Sequence, residues 1–291
     1  MKSKAWTEKF MRGVFFIAAC ASVLAVALIC IFLFANGIPA MKEIGFGKFL
    51  TGQMWRPKNQ IFGIFPMIIG SLYVTAGAIL FGVPVGILTS VFMAHYCPKK
   101  IYRPLKAATE LLAGIPSVVY GFFGLVVLVP WIREMGRELG FGGNGSSILT
   151  ASLLLGMMIL PTIIGVTESA IRAVPAQYYE GAVALGATHE RAIFRVILPA
   201  AKSGVVAGIV LGIGRAIGET MAVIMVAGNQ ARMPAGIFRG IRTLTANIVI
   251  EMGYATDLHR EALIATGVVL FVFILLINFS VALLNRRGSH E

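Results

Sequence analysis

Two ionisable side chains interrupt an otherwise apolar stretch late in the chain, Arg215 and Glu219 within GIVLGIGRAIGETMAVIMV. A charge held at mid-membrane costs about 3 kcal/mol on insertion scales, so such groups usually face a bundle interior or a water-filled path. Four residues apart, they share one face of a helix and can pair there. Arginine also offers a planar fork of donors that suits an oxyanion. The two therefore read either as a binding element on a substrate path or as an ion pair that pins a bundle.

A second candidate lies upstream, the charged island 180–199 with the sequence EGAVALGATHERAIFRVILP. Thr188 followed by Glu190 forms a helix start, with a side-chain acceptor for free amides and a carboxylate in the first turn. Gly186 just before it permits a sharp bend, and Pro199 closes the stretch. The pattern predicts a short helix, a tight turn and another short helix at a membrane surface. An ordinary interfacial loop has the same composition.

Other chemistries lack their parts. The chain has no G-x-x-x-x-G-K-[ST], so no P-loop binds ATP. His95, His189, His259 and His290 lie outside the apolar runs, and the three cysteines, Cys20, Cys30 and Cys97, are too scattered for a metal site or a disulfide framework. Neither a metal nor another cofactor is expected, and an intramembrane hydrolase has no nucleophile and base to use. Gly140, Gly142 and Gly145 match G-x-G-x-x-G, but no strand precedes them and a membrane helix follows, so the match reads as chance.

The elements that must position these residues are membrane helices. Of 291 residues, 57% are hydrophobic and only 13% are charged. That is far below the roughly 25% charged of soluble domains. A net charge of +12 in a soluble chain would suggest nucleic acid; here short loops and tails hold much of it, and retention of Lys and Arg in the cytoplasm is the simpler cause. Apolar runs predict spans at 14–34, 68–92, 111–129, 148–167, 203–227 and 263–284, with Asn36, Gly37 and Pro39 ending the first. Lys2, Lys4, Lys9 and Arg12 precede the first span. Lys99, Lys100, Arg103 and Lys106 crowd the acid-free loop 95–106, and Arg286 and Arg287 follow the last span. The fold expected is an all-α integral membrane bundle of six helices with both termini cytoplasmic. A first part, 1–67, holds the tail, the first helix and an outer loop; the core, 68–291, holds helices two to six and the inner loop 168–202. Gly204, Gly208 and Gly212, then Gly214 and Gly218, recur every four residues and predict close helix packing. Pro84 in the second span, and Pro116 with Gly114 and Gly121 in the third, predict kinks.

The island 180–199 resembles the EAA loop of ABC-importer permeases, whose pattern is E-A-A, three residues, G, nine residues, I-x-L-P. Glu180, Gly181 and Ala182 take the first positions, Gly186 falls in register, and Val196, Ile197, Leu198 and Pro199 close it, with Gly181 and Val196 as departures. The runs GRAIGETMAV from Gly214 and AGIPSVVYG from Ala113 are similar to the permeases of phosphate-specific importers, of the PstC type. The resemblance covers about 72–284. It implies a type I ABC importer permease in a prokaryotic inner membrane, without ATPase activity of its own. Its implied partners are a second, PstA-type permease, a dimer of ATP-binding subunits, a phosphate-binding protein outside and membrane lipid, with no nucleic acid. Glu180, Gly181, Ala182, Gly186, Leu198 and Pro199 would then couple to the ATPase, and Arg215, Glu219 and Thr220 would line the substrate path, Glu219 orienting Arg215. A permease for sulfate or molybdate would share this architecture. A scaffold that docks an ATPase without transport would have no need of the charged pair.

Overall fold

A computed structural model describes residues 2–287, with side chains for 8–280. The side chains of Lys2, Lys4, Arg286 and Arg287, expected to hold the termini inside, lie outside that described set. Helix α1 (Lys2–Ile44) runs straight through Asn36, Gly37 and Pro39, which were expected to end it. Tertiary packing overrides those breakers. Gly37 lies against Val268 and Ala265 of the last helix, where an added Cβ would come within 2.7 Å of Val268. A short α2 (Phe46–Thr51) and a hairpin of β1 (Trp55–Arg56) and β2 (Ile61–Phe62) lead to α3 (Phe65–Val91), with Pro66 in its first turn.

The next segment departs from the hydropathy reading. Residues 99–114 form a separate amphipathic helix, α4 (Lys99–Gly114), none of whose residues is buried. The third span starts only after Pro116, as α5 (Ser117–Phe123) running on into α6 (Val129–Glu138). The expected kink is thus a full break at Ile115–Pro116. Pro116 adopts φ −60° and ψ 142°, and lacking an N–H it cannot continue the ladder of α4.

Helix α7 (Ile148–Arg172) follows, capped by Ser147, whose side chain accepts from the Thr150 amide. The inner loop then folds as α8 (Ala176–Ala184), α9 (His189–Ala192) and α10 (Leu198–Ala200). Helix α11 (Lys202–Gly218) meets this unit at 69°. After a second break come α12 (Met221–Val226), the short α13 (Leu244–Met252) and the long α14 (Asp257–Arg287). Among the described residues five helices are long and apolar enough to cross a membrane, and six if the bent pair counts as one span.

Helix α7 is the centre of the bundle, with two-thirds of its apolar window buried (67%). Small residues bring its neighbours close. On α3, a Cβ added at Gly82 would lie 2.8 Å from Ile159, and one at Gly86 2.7 Å from Ile163. On the other flank Gly204 abuts Ala170, and Gly208 and Gly212 sit against Thr167 and Ile163. The first glycine ridge of α11 is therefore a packing seam, as small residues at that spacing predict. A Cβ added at Gly214 or Gly218 would meet nothing outside its own helix within 4 Å among the described residues, so the packing expected of that second pair has no partner there. Gly204→Val is accordingly expected to force α7 and α11 apart and to cost about 1–3 kcal/mol. Gly214→Ala is expected to leave stability unchanged or slightly raised, since alanine is the better helix former. Thermal unfolding of the two purified variants in detergent checks the contrast.

Candidate functional site

The apolar helix carrying Arg215 does not continue through Glu219. Helix α11 stops at Gly218, Glu219 is extended (φ −71°, ψ 129°), and α12 begins after Thr220. The expected same-face pair is consequently not formed. The Glu219 Oε1 accepts instead from the amides of Thr220 (3.1 Å) and Ala222 (3.2 Å). Those amides have no intrahelical acceptor, and a carboxylate at a helix start satisfies them and opposes the dipole. The Thr245 hydroxyl on α13 donates to the Glu219 carbonyl at 3.2 Å and braces the break. Thr220 donates its hydroxyl to the Gly218 carbonyl at 3.3 Å. Arg215, half-buried, keeps one long hydrogen bond from Nη1 to Thr162 Oγ1 on α7, 3.4 Å.

The other break stands alongside. A Cβ added at Gly121 on α5 would lie 2.7 Å from Met225 Sδ and 3.0 Å from Ala222 Cα, so α5 and α12 are in close contact. The Tyr120 hydroxyl reaches back across the α4–α5 break to the Leu112 carbonyl, 2.9 Å, and Tyr120 shares a buried cluster with Ala216, the residue after Arg215. Two interrupted helices thus meet in one region with Arg215, which among the described residues has no acidic partner. Such an arrangement suits an oxyanion, because a guanidinium fork with no carboxylate on it favours negative charge.

The inner loop has the predicted helix–turn–helix form, for local reasons. Gly186 takes φ +85°. Its amide donates to the Val183 carbonyl at 2.9 Å and the Ala187 amide to the Ala182 carbonyl at 3.0 Å, the paired bonds of a Schellman cap. Thr188 then caps α9, its side chain accepting from the Arg191 amide. Ile193, Ile197 and Ala201 are buried with Val91, Ile171 and Val205, which seats the loop on the ends of α3, α7 and α11. The outer side is different. Glu180, Gly181, Gly186 and Pro199 are exposed, Leu198 is half-buried, and Leu185 is 91% exposed, with Tyr178 and Val183 exposed as well.

Two clusters escaped the sequence reading. Glu168, assigned there to the inner loop, is in the last turn of α7, and its side chain is 2% exposed. Its Oε1 accepts from the Tyr102 hydroxyl (2.7 Å) and Arg172 Nε (2.8 Å), and its Oε2 from Lys106 Nζ (2.8 Å). Arg172 also donates from Nη2 to the Met93 carbonyl at 2.7 Å and covers the Tyr102 ring. The hydrogen bond to Glu168 holds the Lys106 ammonium above its usual pKa, against the effect of partial burial. The four-residue step from Glu168 to Arg172 was the available signal. At the opposite end, Glu251 accepts from Trp55 Nε1 (2.7 Å), from His259 Nε2 (2.9 Å) when that nitrogen carries the proton, and from Arg242, binding the hairpin to α13 and α14. Among the described residues no group of three His, Cys, Asp or Glu could hold a metal ion.

Comparisons with known proteins converge on one group. Residues 82–290 match the family described as "Binding-protein-dependent transport system inner membrane component". A Mesorhizobium japonicum protein named phosphate transport system permease protein PstC is 37% identical, over 88% of this chain and 84% of that protein. The Haemophilus influenzae protein of the same name is 34% identical, over 93% of this chain and 90% of that one. Among solved structures, a chain of a bacterial ABC transporter involved in the import of alginate superimposes with a TM-score of 0.61 at 17% identity, covering 94% of this chain and 96% of that one. At that identity the likeness concerns the fold.

Proposed function

The chain belongs to the family of binding-protein-dependent transport system inner membrane components, and on that premise we propose that it is the permease subunit of an ATP-driven phosphate importer. The observation that carries the cargo is the similarity to phosphate permeases along nearly the whole chain. An Arg215 held by one long hydrogen bond, with no acidic partner among the described residues, is consistent with it. In this reading Arg215 contacts the oxyanion as it passes, Thr220 lines the same break, and Glu219 keeps the start of α12 neutralised so that Arg215 stays free for cargo. The finer topology is six spans, with α9–α11 as one bent span and both termini in the cytoplasm of a prokaryotic inner membrane.

The exposed rim of the inner loop is the docking face for a separate ATP-binding dimer. Glu180, Gly181, Ala182 and Gly186 set its shape, and Leu198 and Pro199 join it to the bundle. Leu185, apolar and the most exposed of the loop's large hydrophobic side chains, has the character of a side chain that fills a partner's groove. A second permease of the PstA type completes the pathway, and a phosphate-binding protein delivers cargo outside. Residues 68–291 form the core permease, with 1–67 peripheral to it and facing lipid along α1.

Proteoliposomes holding the complete complex, given labelled phosphate or labelled sulfate, test the cargo. ATP-dependent accumulation of phosphate at least tenfold above sulfate is expected. Equal or preferred uptake of sulfate would assign the chain to another anion.

A further inference from the structure

The Glu168 cluster and the Tyr120 hydrogen bond both fasten one helix, the first along its N-terminal half and the second in its last turn. At the end near the inner loop, Tyr102 and Lys106 of α4 are held by Glu168 on α7. Arg172 shares that carboxylate, fastens the end of α3 through Met93, and stands at the root of the α8–α9 loop. In its last turn, the Leu112 carbonyl of α4 receives the Tyr120 hydroxyl of α5, the helix that packs on α12 through Gly121. Helix α4 has sixteen residues and is thus about 24 Å long. None of its residues is buried, so these side-chain bonds, rather than a buried face, hold it in place.

We propose that α4 is a lever between the ATPase-docking loop and the substrate-path break, and that Glu168 is the positioning residue that grips its loop end. Displacement of the loop moves Arg172 and Glu168 with the end of α7. Tyr102 and Lys106 pass that movement to α4, and the Leu112–Tyr120 bond delivers it to the start of α5. Glu168 suits this task because its ligands come from two helices and share one dry carboxylate, so neither helix can shift without breaking a charge-assisted bond. This inference rests on the reading of the α8–α9 loop as the docking face.

The double variant Tyr102→Phe/Lys106→Met releases α4 while leaving the Glu168–Arg172 pair intact, so no buried charge is stranded. In the reconstituted complex, with the ATPase, the second permease and the binding protein present, phosphate accumulated per ATP hydrolysed is expected to fall about tenfold, with ATP hydrolysis kept within twofold of wild type. A merely structural role would lower both activities with the amount of assembled complex and leave their ratio unchanged; that result, or an unchanged ratio at full activity, overturns the proposal. If the double variant fails to assemble, Tyr102→Phe alone is read in the same way, a smaller fall in the ratio supporting the lever and no fall overturning it. Arg103→Met, an exposed neighbour outside the cluster, is expected to leave the ratio at its wild-type value. Retention of the ATPase on Gly186→Pro complexes reports separately on docking. Full retention there would defeat the docking reading, whatever the ratio shows.

Discussion

Arg215→Ala is expected to lower phosphate uptake about 100-fold while the complex still assembles. Truncating one member of a charge-assisted, partly desolvated contact costs about 3 kcal/mol, the free-energy equivalent of that factor. Assembly survives because nothing in the fold depends strongly on this side chain. Its hydrogen bond to Thr162 is long, at 3.4 Å, and Glu219 is satisfied by amides rather than by the guanidinium. Arg215→Lys separates charge from shape: a lysine keeps the cation but loses the planar fork, so partial uptake is expected. Labelled-phosphate uptake into proteoliposomes, set against the yield of intact complex, measures both. Wild-type uptake by the alanine variant would remove Arg215 from the path.

Gly186→Pro is expected to abolish docking of the ATP-binding subunits, and uptake with it. The residue takes φ +85°, whereas proline is fixed near −65°. Proline also lacks the N–H that donates to the Val183 carbonyl, and it disfavours the helical conformation of Leu185 before it. Both Schellman bonds are lost, so α8 and α9 no longer meet at their native angle and Leu185 is displaced from the rim. An alanine there keeps the N–H and costs only about 1–2 kcal/mol for its left-handed backbone, so an intermediate effect is expected. Co-purification of the ATP-binding subunit, at least tenfold weaker for Gly186→Pro, is the direct measure. Normal co-purification together with normal uptake would sink the docking assignment. Glu180→Lys probes the same face without backbone strain and is expected to weaken docking by reversing an exposed charge.

The inner loop was legible in the sequence because its determinants are local. A glycine that needs positive φ and a threonine that caps the next helix act within six residues of one another, and both are where the sequence places them. The second and fourth spans were legible because their apolar runs are unbroken. The third was shifted because hydropathy averages over a window. Leu111 and Leu112 are as apolar as any membrane residue, but they end an amphipathic helix, and the membrane helix begins beyond Pro116. Glu168 was hidden for a different reason: Lys106 and Tyr102 lie 62 and 66 residues away, a distance no periodicity reports. The Arg215–Glu219 spacing allowed both a pair and a cap. Only the position of the helix break, set by contacts with α13 and α5, decided for the cap.

The glycine seams on both flanks of α7 have a mechanical consequence. Helices that approach until no Cβ fits between them cannot roll past one another without collision, because a close-packed interface is not continuously deformable. The three helices α3, α7 and α11 therefore translate and rotate as one rigid body. Freedom to move is left to the places where the helices are interrupted, among them 115–116 and 219–220, the second four residues beyond Arg215.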